Sequence, residues 1–108
     1  MRISQIVASL DPRSGGPSVS VPGLSGALAR LGHDVTLFST TAPGEKPLPP
    51  TVDGMTRQLA PRTFPATLAC ASGLEKLLSA VPADLVHAHA LWQRPLHDAH
   101  QRAIAAGV

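Results

Sequence analysis

Two short segments hold residues whose types and spacing could do chemistry. The first is "SGGPS" at residues 14–18, where Gly15 and Gly16 stand together between Pro12 and Pro17. A glycine pair lets backbone N–H groups close around an anion, and a helix N-terminus just beyond it favours negative charge. The segment is not a Walker A loop, because no Gly-Lys-Ser/Thr follows, and it lacks the G-x-G-x-x-G of dinucleotide binding. By itself it reads equally as a tight turn or as a loop for a phosphate or a sugar. The second is "VHAHALW" at residues 86–92. His87 and His89 lie two apart, so on a strand they project to one side of the sheet. The simplest role for His87 is a hydrogen-bonded place within the sheet. His89 is the last residue before a loop, where ligands reach a strand end. Trp92, the only tryptophan, either anchors that loop or stacks on a ligand, anchoring being the simpler role.

A second histidine pair, His97 and His100, is spaced to share a helix face. The two pairs together could hold zinc only if the fold joined them, with neither a nearby cysteine nor a convergent carboxylate to help. No metal is expected, and solvated helix positions are the simpler reading of His97 and His100. His33 follows a helix-ending glycine and reads as structural.

The elements that must position these residues follow from periodicity. "ISQIVASL" (3–10) is β-rich and stops at Asp-Pro, so a first strand is expected there. Val21, Leu24, Leu28 and Leu31 then fall on one helical face, with Gly32 as the terminating glycine. Ser18 or Ser20 is the expected N-cap, because Pro22 suits only a first turn. Gly23 and Gly26 weaken this helix or mark close contacts. "DVTLFST" (34–40) is a second strand, and the proline-dense 41–54 is an exposed loop. "MTRQLA" (55–60) is a short third strand. Residues 65–81 read as a helix, 83–91 as a strand, and 94–107 as a helix opened by Pro95. This alternation predicts an α/β fold with a parallel sheet. Gly107 and Val108 fall where a further strand is due, so an incomplete sheet from a longer protein is expected.

Composition removes several classes of function. At 108 residues the chain is one domain at most. No run reaches the roughly 18 apolar residues of a membrane helix, and no signal peptide is read at the N-terminus. Net charge is only +2, the arginines are scattered singly, and aromatics are 3%, which leaves no stacking platform for bases. Nucleic acid is therefore not an expected partner. Cys70 is the single cysteine, so there is no internal disulfide and a reducing, cytoplasmic setting is expected.

Taken together, "MRISQIVASLDPRSGGPSVSVPGLSGALARLGHDVTLFST" and "ADLVHAHALWQRPLHDAHQRAIAAGV" resemble two separated parts of the N-terminal domain of family 4 glycosyltransferases. The resemblance covers the chain except roughly residues 42–66. It implies a Rossmann-like three-layer parallel sheet, the incomplete N-terminal, acceptor-side domain of a GT-B fold spanning residues 1–108. The resemblance implies a C-terminal donor domain, with its Glu-x7-Glu motif, that is not among these residues. The implied reaction is sugar transfer with retention, from a nucleotide sugar to a glycan or lipid-linked acceptor in cell-surface polysaccharide synthesis. No cofactor is implied, the nucleotide sugar being a substrate. Lipid-linked acceptors imply peripheral contact with the inner face of the cell membrane.

Carried over by position, Gly15 and Gly16 approach the donor's phosphate and sugar through their backbone. His89 matches the histidine lining the active site, with His87 as its companion and Trp92 close by in the binding segment. Two departures from the pattern stand out: Ala90 stands where glycine is common, and Gly23 and Gly26 replace helix formers. With one wall of the cleft only, the chain alone is expected to be inactive. The competing reading is a noncatalytic α/β binding module completed by a partner chain. A histidine-based zinc protein comes third.

Overall fold

A computed structural model describes residues 1–44, 55–63, 71, 73–89 and 94–108. Four strands, β1 (Arg2–Val7), β2 (Asp34–Thr41), β3 (Met55–Pro61) and β4 (Leu85–His89), form one sheet in the order β3-β2-β1-β4. Every pairing is parallel, with Val7 opposite His89 and Ile6 opposite Phe38. Three helices accompany them: α1 (Pro17–Arg30), α2 (Leu74–Ala80) and α3 (Arg94–Ala106). The α/β expectation is met in class, in sheet sense and in the short third strand. Of the helix expected over 65–81, the described part is Leu74–Ala80; residues 64–70 and 72 lie outside the described residues, as does most of the proline-dense loop.

Parallel strands are buried on both faces, so their sequences run apolar rather than alternating. Ile6, Phe38 and Ala60 turn to one face and pack against Leu74, Leu78 and Ala99 of α2 and α3, with Val86 and Ala88 of β4 at the margin. Val7 and Leu37 turn to the other face and pack with Leu10 and with Val21 of α1. The result is three layers, helix, sheet and helices. Two side-chain devices brace the second helical layer, one between α3 and α2 and one within α3. Arg102 of α3 donates from Nε to the Leu78 carbonyl at 2.9 Å and from Nη2 to the Val81 carbonyl at 3.2 Å, satisfying carbonyls that the end of α2 leaves open. Arg94 Nε meets the buried Asp98 at 2.8 Å, one turn along α3. No described helix is long and apolar enough to cross a membrane.

The first helix departs from its expected register. Val21 is buried and Leu28 half-buried, but Leu24 and Leu31 are 40% and 76% exposed. The face toward the sheet consists of Ser18, Val21, Ser25 and Gly26. Small side chains at the contact let the helix backbone come close to the strands, and leucines of the same period are left outside. The helix also starts earlier than its serines indicate, with Gly16 at the N-cap and Pro17 at the first position. Pro17 has a φ already suited to that position, and the Ser18 hydroxyl is spent on the Gly15 carbonyl. Pro22 consequently lies in the second turn, inside the helix. The C-terminal expectation is met: Gly32 has φ +94°, and the amides of Gly32 and His33 donate to the carbonyls of Ala29 and Leu28 at 3.0 and 3.2 Å.

Candidate functional site

The strand order carries the first information about a site. From β1 the chain runs outward through β2 to β3, then returns to set β4 on the opposite side of β1. The crossover helix α1 packs on one face and α2, in the crossover to β4, on the other, the arrangement in which open α/β sheets form a crevice at the C-terminal ends of the two central strands, here β1 and β4. Ligands of open α/β sheets bind in that crevice. Both chemically suggestive segments lead to it: the glycine loop follows β1, and His89 is the last residue of β4.

The loop after β1 is held by polar contacts. Asp11, nearly fully buried, accepts the Arg13 amide at 2.9 Å and caps a 3-10 turn over Pro12–Ser14. The Arg13 guanidinium returns to the same carboxylate, with Nη2 at 2.7 Å from Oδ2, and also donates to the Gly44 carbonyl at 2.9 Å, tying this loop to the one after β2. One strand turn earlier, the Ala8 carbonyl accepts the Thr40 hydroxyl at 2.6 Å and Arg62 Nη2 at 3.2 Å, while Arg62 Nε reaches Thr40 Oγ1 at 2.8 Å. A loop so fixed presents its next residues, Gly15 and Gly16, in a defined place.

The two glycines are not equivalent. Gly15 has φ +112° and ψ −170°, a conformation that only glycine adopts without strain. Gly16 has φ −54° and ψ −47°, ordinary helical values open to any residue. A Cβ built on either meets no protein atom within 4 Å. The turn therefore explains Gly15. Nothing among the described residues explains Gly16.

On β4 the two histidines project to the α1 side, since Val86 and Ala88 between them project to the opposite core. Their rings are 4.0 Å apart between centroids and tilted by 42°. His87 is exposed and His89 half-buried. His89 Nε2 lies 2.6 Å from Oε1 of Gln5, which reaches across from β1. Burial, and then the charge of His87, lower the pKa of His89 from its ordinary value, so the neutral ring is favoured. A neutral histidine at a strand end is a hydrogen-bonding group for a hydroxyl or a phosphate rather than a fixed cation.

Gly15 and Gly16 thus fall in the loop that follows β1, and His89 ends the neighbouring β4 with His87 two residues before it. Trp92, like Ala90, falls outside the described residues. The two histidine pairs are kept apart, because α3 with His97 and His100 covers the face opposite to His87 and His89. Among the described residues no group of three or more metal-ligating side chains is present. Sequence reasoning missed Gln5, Asp11 and Arg62. For Gln5 a signal was available, an amide in the middle of an apolar central strand. For Asp11 and Arg62 the contacts are long-range or turn-specific, and no local pattern marks them.

Fold and rim geometry define a Rossmann-like α/β domain with its candidate crevice at the reversal of strand order. Residues 14–104 match the family model of Glycosyltransferase Family 4, so the match runs from the glycine loop to α3 and takes in most of the chain. The chain belongs to glycosyltransferase family 4. No curated protein matches it.

Proposed function

We propose that the chain forms the acceptor-side wall of a retaining glycosyltransferase, moving a sugar from a nucleotide sugar to a glycan or lipid-linked acceptor in cell-surface polysaccharide synthesis. The observation that carries this reading is that the glycine loop follows β1 and that His89 ends the neighbouring β4, where Val7 stands opposite it. On this reading the backbone of Gly15 and Gly16 approaches the donor's diphosphate and sugar, the Gly15 N–H itself being directed to the Pro12 carbonyl at 3.4 Å, and the positive end of α1 favours negative charge there. Gly16 is explained by close approach of the ligand, since the packing of the described residues leaves room for a side chain. His89 contacts the transferred sugar as a neutral ring, His87 supports it, and Trp92 belongs to the same binding segment. No metal or organic cofactor takes part.

The nucleotide is held by a second, donor-binding domain outside these residues, so the 108-residue chain by itself binds donor weakly and transfers no sugar. The protein works in the cytoplasm, at the inner face of the membrane that carries its acceptor. The test is nuclear magnetic resonance titration of the labelled chain with UDP-glucose and GDP-mannose. Shifts concentrated at the Gly15 and Gly16 amides and the His89 ring, and lost in Gly16→Leu, are expected. Titrations that leave these groups unmoved overturn the reading and favour a noncatalytic module completed by a partner chain. Sugar transfer by the isolated chain would refute the second-domain requirement.

A further inference from the structure

Gln5 is out of place for a residue of its type. It lies on β1, flanked by strands on both sides, between Ile3 and Val7 on the face that α1 covers. It is 1% exposed. Burying a primary amide costs on the order of 1–3 kcal/mol unless its hydrogen bonds are remade. A valine or leucine would fill such a position without that cost. The bonds are remade in part only: Oε1 lies 2.6 Å from His89 Nε2, and Nε2 of the amide has no hydrogen-bond partner among the described residues. Local rules broken in a core tend to mark function.

We infer that Gln5 is a positioning residue for His89, holding its proton on Nε2 so that Nδ1 presents a lone pair to a hydroxyl of the bound sugar. The amide oxygen can only accept, so the ring nitrogen facing it must donate. The two nitrogens of an imidazole diverge, and Nδ1 takes no hydrogen bond from a described residue. A fixed tautomer is what a site needs when one ring nitrogen must accept and the other must not compete for the ligand. The sugar half of this inference rests on the function proposed above; the tautomer half does not.

The experiment separates the two. Long-range proton–nitrogen correlation spectra of the labelled chain are taken above the histidine titration range, with His89→Asn to assign the ring. The wild type is expected to show a His89 Nε2–H proton protected from solvent exchange and close in space to the Gln5 side chain. Gln5→Leu should keep the fold and lose that protection, and Gln5→Glu, which retains an acceptor, should keep it. A proton on Nδ1, or protection indifferent to Gln5→Leu, overturns the inference. A ring proton on Nδ1 would mean that the amide is turned, with its nitrogen donating to the ring. If Gln5→Leu does not fold, the wild-type and Gln5→Glu spectra decide the matter. UDP-glucose, with UDP alone as control, then probes the sugar. Movement of the Nδ1 resonance by the sugar nucleotide only, with binding about five-fold weaker in Gln5→Leu, is expected for the loss of one oriented hydrogen bond. An unmoved Nδ1 beside an intact Nε2–H bond leaves the positioning in place and removes the sugar.

Discussion

Gly15 and Gly16 are adjacent but answer to different constraints, and substitution separates them. At φ +112° a Cβ strains the backbone, so Gly15→Ala is expected to cost about 1–2 kcal/mol in chemical denaturation. Gly16 has helical φ and ψ and open space around it, so Gly16→Ala should change stability by less than about 0.5 kcal/mol. If both glycines cost the same, the explanation of Gly16 by an approaching ligand fails. His89 gives a pH signature. Burial and the neighbouring His87 lower its pKa below the ordinary 6.5, so protonation works against the folded state. The stability involved is complete above pH 6.5 and is lost as pH falls from there through the lowered folded-state value. His89→Asn should flatten the dependence of the denaturation midpoint on pH in that window, on top of a pH-independent lowering from the lost bond to Gln5.

At the scale of elements, α1 is built to be close to the sheet rather than to be a strong helix. Its buried face uses serine, valine and glycine, and Pro22 interrupts its second turn. A proline there withholds the amide that would bond the Ser18 carbonyl and crowds that carbonyl. Pro22→Ala is therefore expected to stabilise the protein by roughly 1–2 kcal/mol, the gain in the helix being offset in part by a freer unfolded chain. An unchanged or lowered unfolding midpoint would show that the helix already accommodates the proline. The exposed Leu24 and Leu31 mark the same design from outside: the apolar period is present, but shape rather than hydrophobicity selects the face that is buried.

Across the whole molecule, the pairing of β1 with β4 brings distant residues together at both ends of the two strands. At the N-terminal end, Arg2 and Asp84 form an exposed ion pair, with Nη2 at 2.9 Å from Oδ1, and Asp84 also accepts the Arg2 amide at 2.8 Å. The side-chain hydrogen bond from Arg2, then that from its amide, hold the Asp84 carboxyl at about 2 against an ordinary 3.8. A carboxyl lowered in this way stabilises the fold fully above pH 3.8, and the contribution disappears as pH falls through about 2. Asp84→Asn should accordingly remove part of the acid-induced loss of stability between those values. An identical acid profile in the variant would show that the pair is too well solvated to matter, as exposed pairs often are.

Much of this protein was legible in the amino-acid sequence, because its determinants are local. Apolar period and turn residues marked four strands and the helices between them, Gly32 marked the end of α1, and two quoted segments sufficed to point to the glycosyltransferase family. A glycine with positive φ is demanded by the chain within a few residues of itself, so Gly15 could be read from its neighbours. The tertiary structure alone decided that β4 returns to the far side of β1, because strand order follows from how crossovers pack on a twisted sheet and not from any strand's own residues. From that one decision come the glycine loop and His89 on one rim, the two histidine pairs on opposite faces, and the contact between Gln5 and His89 across 84 positions of sequence. The buried face of α1 was decided in the same way, by the shape of the sheet it had to meet.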